Sequence, residues 1–481
     1  MTALPAAGEE PAASDPSAEP ADPDPFAESA AQARLAEGFP ADFAWGAATA
    51  AYQIEGSVSH DGRGQSIWDT FSRTPGRTLG GDTGDVACDH YRRWESDLDL
   101  MAELGLRAYR FSVAWPRIQP TGTGATNGAG LDFYDRLVDG LLRRGIDPWI
   151  TLYHWDLPQA LEDRGGWLTP DTAQRFAEYA AVVAARLGDR VGHWITLNEP
   201  RTFAFIGYGS GRHAPGRRGW GTALRAAHHA HLAHGSATAA IRAAAPNALV
   251  GICHDVNYLV PADDGRDADA DAAGRLDGAM HRWFLDPTFG RGYPSDLLDW
   301  YERLGLLDGL DLAAVADAPP IDFLALNYYR RERVAHAPVD DASAVGARVL
   351  DATGQVTASG WEVWPDGLRR GLQRVADEYQ PAAIAVTENG AAFEDVIGPA
   401  GLIDDVERRR YLAGHVSSAA HARAAGVPLV GYFVWSLLDN FEWALGYSAR
   451  FGIVHVDFAT QRRTVKASGR WFQSLLAAAP R

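Results

Sequence analysis

The stretch Ala383-Ile384-Ala385-Val386-Thr387-Glu388-Asn389-Gly390 sets the reading of the whole chain. An apolar run of strand length, closed by a glutamate and an Asn-Gly turn, describes a strand covered on both faces that shows polar side chains only at its C-terminal end. Seven further runs of this kind recur, at 43–50, 108–115, 146–154, 193–199, 248–255, 321–329 and 429–437, with Ala/Leu/Arg stretches of helical period between them. Strict alternation of the two makes repeated βα units and a parallel sheet, and eight units close into a single (β/α)8 TIM barrel of α/β class. The about 440 residues from 41 onward exceed the roughly 250 typical of that fold, so long loops are expected on the face where the strands end. The stretches 121–130 and 263–271 read as such surface loops.

Composition agrees. Of 481 residues, 46% are hydrophobic and 22% charged, enough for a large core, and the net charge of −18 disfavours nucleic acid or an anionic membrane as partner. Cys88 and Cys253 belong to no CxxC or Cys/His pattern, which argues against a disulfide scaffold or a zinc module and for a reducing compartment. Residues 1–30 carry seven acids and no Lys or Arg amid Ala and Pro, so 1–40 is expected to be a disordered acidic tail ahead of a catalytic barrel over 41–481. Neither a secretory signal nor a run long enough for a spanning helix is present, and a cytoplasmic location follows as an expectation.

The chemistry gathers at the strand ends. Run three finishes Tyr153-His154-Trp155-Asp156, run four Asn198-Glu199-Pro200, run six Asn327-Tyr328-Tyr329, and run seven Glu388-Asn389-Gly390. In a (β/α)8 barrel such residues point into one shared mouth, so Glu199 and Glu388 are expected to face each other despite their distance in sequence. Two carboxyls flanking a cavity are what glycoside hydrolysis requires, one donating a proton to the leaving oxygen and the other attacking or assisting at the anomeric carbon. The plain alternative is a pair of surface or capping glutamates; two of them at matching strand ends argue against it.

Five ordered stretches then carry a resemblance: Phe43 to Gly56 (FAWGAATAAYQIEG), Tyr109 to Ile118 (YRFSVAWPRI), Thr196-Leu197-Asn198-Glu199-Pro200, Thr387-Glu388-Asn389-Gly390, and Trp435 to Trp443 (WSLLDNFEW). Over essentially all of 41–480 the chain resembles glycoside hydrolase family 1, the β-glucosidase family. The resemblance implies a retaining mechanism with Glu388 as nucleophile and Glu199 as general acid, then base, the carboxyls about 5–5.5 Å apart. Arg110 is expected to hold Glu388 ionised by direct charge attraction and Tyr329 to donate a hydrogen bond to it, while the negative Glu388 beside Glu199 in a water-poor cavity favours Glu199's protonated form.

The resemblance also assigns the sugar contacts. Gln53, His154, Asn198, Glu442 and the indole nitrogens of Trp155 and Trp443 are expected to bond ring hydroxyls, with Trp435 stacking under the ring and Asn327 and Phe451 completing the substrate site. Trp361 matches a position that walls the leaving-group site in relatives, simple packing being the alternative. A 6-phosphorylated sugar is disfavoured because Glu442 would repel it and the stretch 442–448 has no Lys; the thioglucosidase branch is disfavoured because Glu199 is not Gln. A non-proline cis bond at Trp435-Ser436 is implied as well.

No cofactor and no metal are expected. His228, His229, His231 and His234 crowd one segment but point in several directions along a helix, and Cys253 reads as a small core residue. The expected partner is a small-molecule β-glycoside, with a terminal glucosyl unit and possible galactoside or fucoside side activity. A transglycosylase of the same architecture and a noncatalytic sugar-binding barrel are the alternatives, the latter calling for a missing carboxylate. The sequence leaves the oligomeric state open.

Overall fold

The computed structural model describes residues 32–340, 343–398 and 401–480. Eight parallel strands form a closed barrel: β1 (Ala44–Ala48), β2 (Ala108–Ser112), β3 (Asp147–Tyr153), β4 (His193–Asn198), β5 (Leu249–Asp255), β6 (Phe323–Asn327), β7 (Ile384–Asn389) and β8 (Leu429–Trp435). Each pairs with its neighbour in chain order, and β8 closes on β1 with Ala44 opposite Gly431 and Ala48 opposite Trp435. All eight apolar runs of the sequence became these strands. In β2, β6 and β7 every residue is buried, as a strand with helices outside and packed side chains inside must be.

The crossover helices follow the same logic. Gly128–Arg143 buries Phe133, Tyr134, Leu137, Val138 and Leu141, one stripe at helical spacing, and leaves Asp132 and Asp135 outside to pair with Arg186. Pro170–Leu187 and Pro365–Tyr379 each start on proline, whose missing N–H is no loss in a first turn. At the N-terminal end of the barrel Trp149 plugs the interior against Phe323 and Phe433, ring centroids 5.3 and 5.0 Å away.

Three sequence boundaries shift. Residues from Gln32 onward were assigned to the tail, yet Ala36 and Phe39 are buried and Phe39 packs on Trp45 at 4.7 Å, so the body begins before residue 41. The acidic tail expected before it lies outside the described residues. The stretch 263–271, read as a loop, enters a helix at Asp267, where Asp267 and Asp269 sit in the first turn and complement its dipole; likewise Gly128 already belongs to a helix. Loop additions on the C-terminal face include a three-stranded sheet of Tyr258–Pro261, Arg331–His336 and Ala347–Leu350 and a hairpin of Val454–Asp457 with Arg462–Val465.

A buried ionic set ties the loops after β7 and β8 together. Lys466, fully buried and the chain's single lysine, donates to Asp439 Oδ1 at 2.7 Å and pairs with Asp395. Arg450 reaches Asp439 Oδ2 at 2.8 Å, and Arg408 pairs with Asp395 and Asp405. Three cations thus meet three carboxylates, which is the condition for burying charge at all.

Candidate active site

The C-terminal ends of the strands enclose a cavity of about 530 Å³ that both Glu199 and Glu388 line. A larger recess of about 650 Å³ opens at the other end of the barrel, near Leu106 and Leu476, but borders a single carboxylate, Glu103. Paired acids occur only in the first of these two.

Glu388 ends β7 with both oxygens engaged: Arg110 Nη1 donates to Oε1 at 2.6 Å and Tyr329 Oη to Oε2 at 2.5 Å. Arg110 is itself buried, held by Thr151 through Nε at 3.1 Å. The turn after Glu388 passes so close to β8 that a Cβ on Gly390 would lie 1.6 Å from the Trp435 carbonyl oxygen, so only glycine fits there. Glu199 follows β4 with φ at +47°, in the left-handed region that a branched or long side chain rarely occupies, and Trp155 and Trp443 share that feature at +78° and +51°. Such outliers gather at functional sites. Glu199 Oε1 accepts from Asn327 Nδ2 at 2.7 Å.

The two acids are connected through amides. Asn327 Nδ2 also donates to Asn198 Oδ1 at 3.2 Å, and Asn198 Oδ1 takes a second bond from Arg110 Nη2 at 2.6 Å. Asn327 is turned the right way by what lies behind it, since its Oδ1 accepts from Thr387 Oγ1 at 2.9 Å and from Cys253 Sγ at 3.1 Å. Cys253 therefore does more than fill core space. Burial pushes its thiol up to about 12, which keeps it a neutral donor.

The electrostatic balance at Glu388 differs from the sequence expectation. Arg110 and Tyr329 do pull its carboxyl down, but burial outweighs them and Glu199 adds to the rise, so Glu388 is pushed up to about 7. Burial, with Glu388 and Glu199 nearby, pushes Glu442 up to about 8. Burial and the Arg110 charge hold His154 well below the ordinary histidine range, hence neutral.

Of the residues named from sequence, His154, Trp155, Tyr329, Trp361, Trp435, Glu442, Trp443 and Phe451 border the cavity with the two acids. Gln53, Arg110, Asn198 and Asn327 stand behind them as buried supports. One expected sugar contact is already spent, since Trp155 Nε1 donates to the Asn198 carbonyl at 2.9 Å, whereas Asn198 Nδ2 uses one of its two N–H groups on His154 Nε2 at 3.0 Å and keeps the other. Gln53 Nε2 bonds Asn440, the Phe441 carbonyl and Glu442 Oε2, while Gln53 Oε1 and His154 Nδ1 are buried without partners among the described residues and remain available to a ligand. Trp361 lies 5.3 Å from Tyr329 and 5.8 Å from Phe451 in an aromatic wall.

Sequence reasoning missed Arg201, Arg212, Asp255 and Arg330, which also border the cavity. Asp255 ends β5, so the strand-end rule could have found it; Arg201 and Arg330 each directly follow a named motif. The peptide bond Trp435-Ser436 is cis. The four clustered histidines have separate partners: His228 with Tyr293, His229 with the Trp167 carbonyl, His231 with the Trp283 carbonyl and His234 with Thr196.

A (β/α)8 barrel with two carboxyls at one sugar-sized cavity is the architecture of a glycoside-cleaving enzyme. The model of glycosyl hydrolase family 1 matches residues 35–479. The chain is 47% identical to β-glucosidase A of Thermotoga maritima over 445 residues, covering 91% of this chain and 97% of that one, and 45% identical to a bifunctional β-D-glucosidase/β-D-fucosidase of Bifidobacterium breve over 464 residues, covering 91% and 98%. The solved family 1 β-glucosidase of Thermotoga maritima superposes with a TM-score of 0.88 at 45% identity, covering 92% of this chain and 98% of that one. The chain belongs to glycosyl hydrolase family 1 and is an O-glycosyl hydrolase. Among the described residues, no helix is long and apolar enough to cross a membrane.

Proposed function

We propose that the protein is a retaining, exo-acting β-glucosidase that removes terminal β-D-glucosyl units from cello-oligosaccharides or aryl and alkyl glucosides, with β-fucosidase or β-galactosidase side activity. The relatives named β-glucosidases, and the glucosidase/fucosidase among them, support the substrate class. A cytoplasmic site of action accords with two free, buried cysteines.

The observation that carries the mechanism is the unequal company of the two acids. Glu388 is clasped by a guanidinium and a phenol, Glu199 by a neutral amide. A carboxylate beside a cation is the attacking group; a carboxyl without one is the proton donor. Glu388 attacks the anomeric carbon, the bond to the leaving oxygen breaks, and Glu199 gives that oxygen its proton. In the second step Glu199 takes a proton from water as the water oxygen displaces Glu388, restoring both groups and the β configuration. Neutral His154 and the free Gln53 oxygen are placed to meet sugar hydroxyls, and Trp435 and Trp443 to close the glucosyl end.

Glu388→Ala tests this. Turnover of nitrophenyl β-glucoside is expected to be lost, and azide is expected to restore it through the vacated space, giving the α-glucosyl azide. Full turnover without azide, or a β-azide, contradicts the assignment.

A further inference from the structure

The cavity wall gathers its cations on the segments that follow β4 and β6. In barrel order β4 stands opposite β8, so the segment after Glu199 faces Glu442 across the mouth, while β6 stands opposite β2. After β4 and β6, Arg201, Arg212 and Arg330 border the cavity, against one carboxylate beyond the catalytic pair and Glu442, namely Asp255.

Each guanidinium is set differently. Arg201 pairs with Asp255 but keeps a buried Nε without a partner among the described residues. Arg330 donates through Nε to Glu332 at 2.6 Å, and its guanidinium carbon rests 4.6 Å from the Trp361 ring centroid, which anchors the charge to the aromatic wall. Arg212 is exposed at the rim, with no ion pair among the described residues. Ser359 Oγ, after β6 and also bordering the cavity, is buried without a partner among the described residues. The unspent groups are predominantly donors and the excess charge is positive, in a chain whose net charge of −18 otherwise repels anions.

We propose that the leaving-group half of the cavity accepts aglycones bearing a carboxylate, with Arg212 supplying the attracting charge and the Glu332-paired Arg330 a further donor beside it. The inference rests on the hydrolase reading above and extends it: the glucosyl unit is neutral where Glu442 stands, and the aglycone is acidic where the arginines stand. The carboxylate can belong to an aromatic ring or to a sugar acid, because both present two acceptor oxygens to guanidinium donors.

The test compares kcat/KM for the β-glucosides of 4-hydroxybenzoate and of its methyl ester, and for cellobionate against cellobiose. These are measured in the unaltered enzyme, Arg212→Gln and Arg212→Glu, at low salt and at about 0.5 M salt. Taking acid-to-neutral ratios between enzymes cancels the intrinsic reactivity of each leaving group. The ratio is expected to fall severalfold in Arg212→Gln, further in Arg212→Glu, and with salt in the unaltered enzyme. An effect confined to the aryl or to the sugar pair identifies which acid the site takes. Ratios unchanged across enzymes and salt, with the neutral substrates turned over normally, overturn the proposal and leave the hydrolase reading standing. Absence of turnover on every substrate removes both.

Discussion

Asn327 Nδ2 lies 2.7 Å from Glu199 Oε1 while the same amide's oxygen is pinned by Thr387 and Cys253. A side chain so tethered at one end can only offer its N–H₂ to the other, so the strand behind the site dictates where the acid points. The amide bridges Glu199 to Asn198 and, through Arg110, to Glu388.

Asn327→Ala is therefore expected to lower kcat by about 10- to 100-fold on glucosides with poor leaving groups, and less on nitrophenyl glucoside, which needs little protonation. Steady-state kinetics on an aryl series of graded leaving-group acidity checks this. An equal loss across the series would mean that Asn327 does not act through Glu199.

Glu199→Ala should show the same dependence in stronger form, because the proton donor itself is gone. The first step on poor leaving groups is expected to slow by about 10²–10⁴-fold, and azide to accelerate release of the glucosyl group from activated substrates. Equal damage to activated and unactivated aglycones would contradict the acid role.

The pH dependence follows from Glu388. It attacks only when ionised and its folded value is about 7, so kcat/KM is expected to fall as pH drops below that value. A profile of kcat/KM against pH that stays flat down to about 5 would show that Arg110 outweighs burial after all.

Glu442 links the site to stability. Its folded value of about 8 exceeds the ordinary carboxyl value of 4.5, so the folded protein holds a proton there that the unfolded chain releases. The stability this carboxyl contributes is present below about pH 4.5 and lost as pH rises through about 8. Glu442→Gln should thus gain stability relative to the unaltered enzyme on going from acid to alkaline buffer, by an amount on the order of 5 kcal/mol and seen as a rise in relative Tm, while damaging sugar binding. Calorimetry across that range decides it; a Tm difference independent of pH speaks against a buried proton.

Lys466→Met removes the cation between Asp395 and Asp439 and leaves buried charge uncompensated, a loss of about 3–5 kcal/mol readable by denaturant unfolding. A loss below about 1 kcal/mol would mean that Arg408 and Arg450 suffice.

Much of this was legible in the chain. All eight strands could be read because a barrel strand is apolar without interruption, and Glu199 and Glu388 stood out because they end such runs. Harder to read were the relations behind the first layer. Nothing in the spacing of Cys253, Thr387 and Asn327 says that three strands bring them together, since that follows from register across β5, β6 and β7. The net effect at Glu388 was also hidden: attraction to Arg110 can be guessed from sequence, whereas the opposing burial depends on how completely the mouth is walled. Phe39 escaped because both of its aromatic neighbours, Phe43 and Trp45, lie beyond the predicted tail boundary.

The single lysine has a practical side. Its amine is sealed among carboxylates, so active esters, aldehydes and other amine-directed reagents meet no reactive side chain on the outside of the folded body. An amine-seeking support therefore finds no lysine anchor on the folded body, and coupling chemistry for this enzyme has to address carboxylates or guanidinium groups instead.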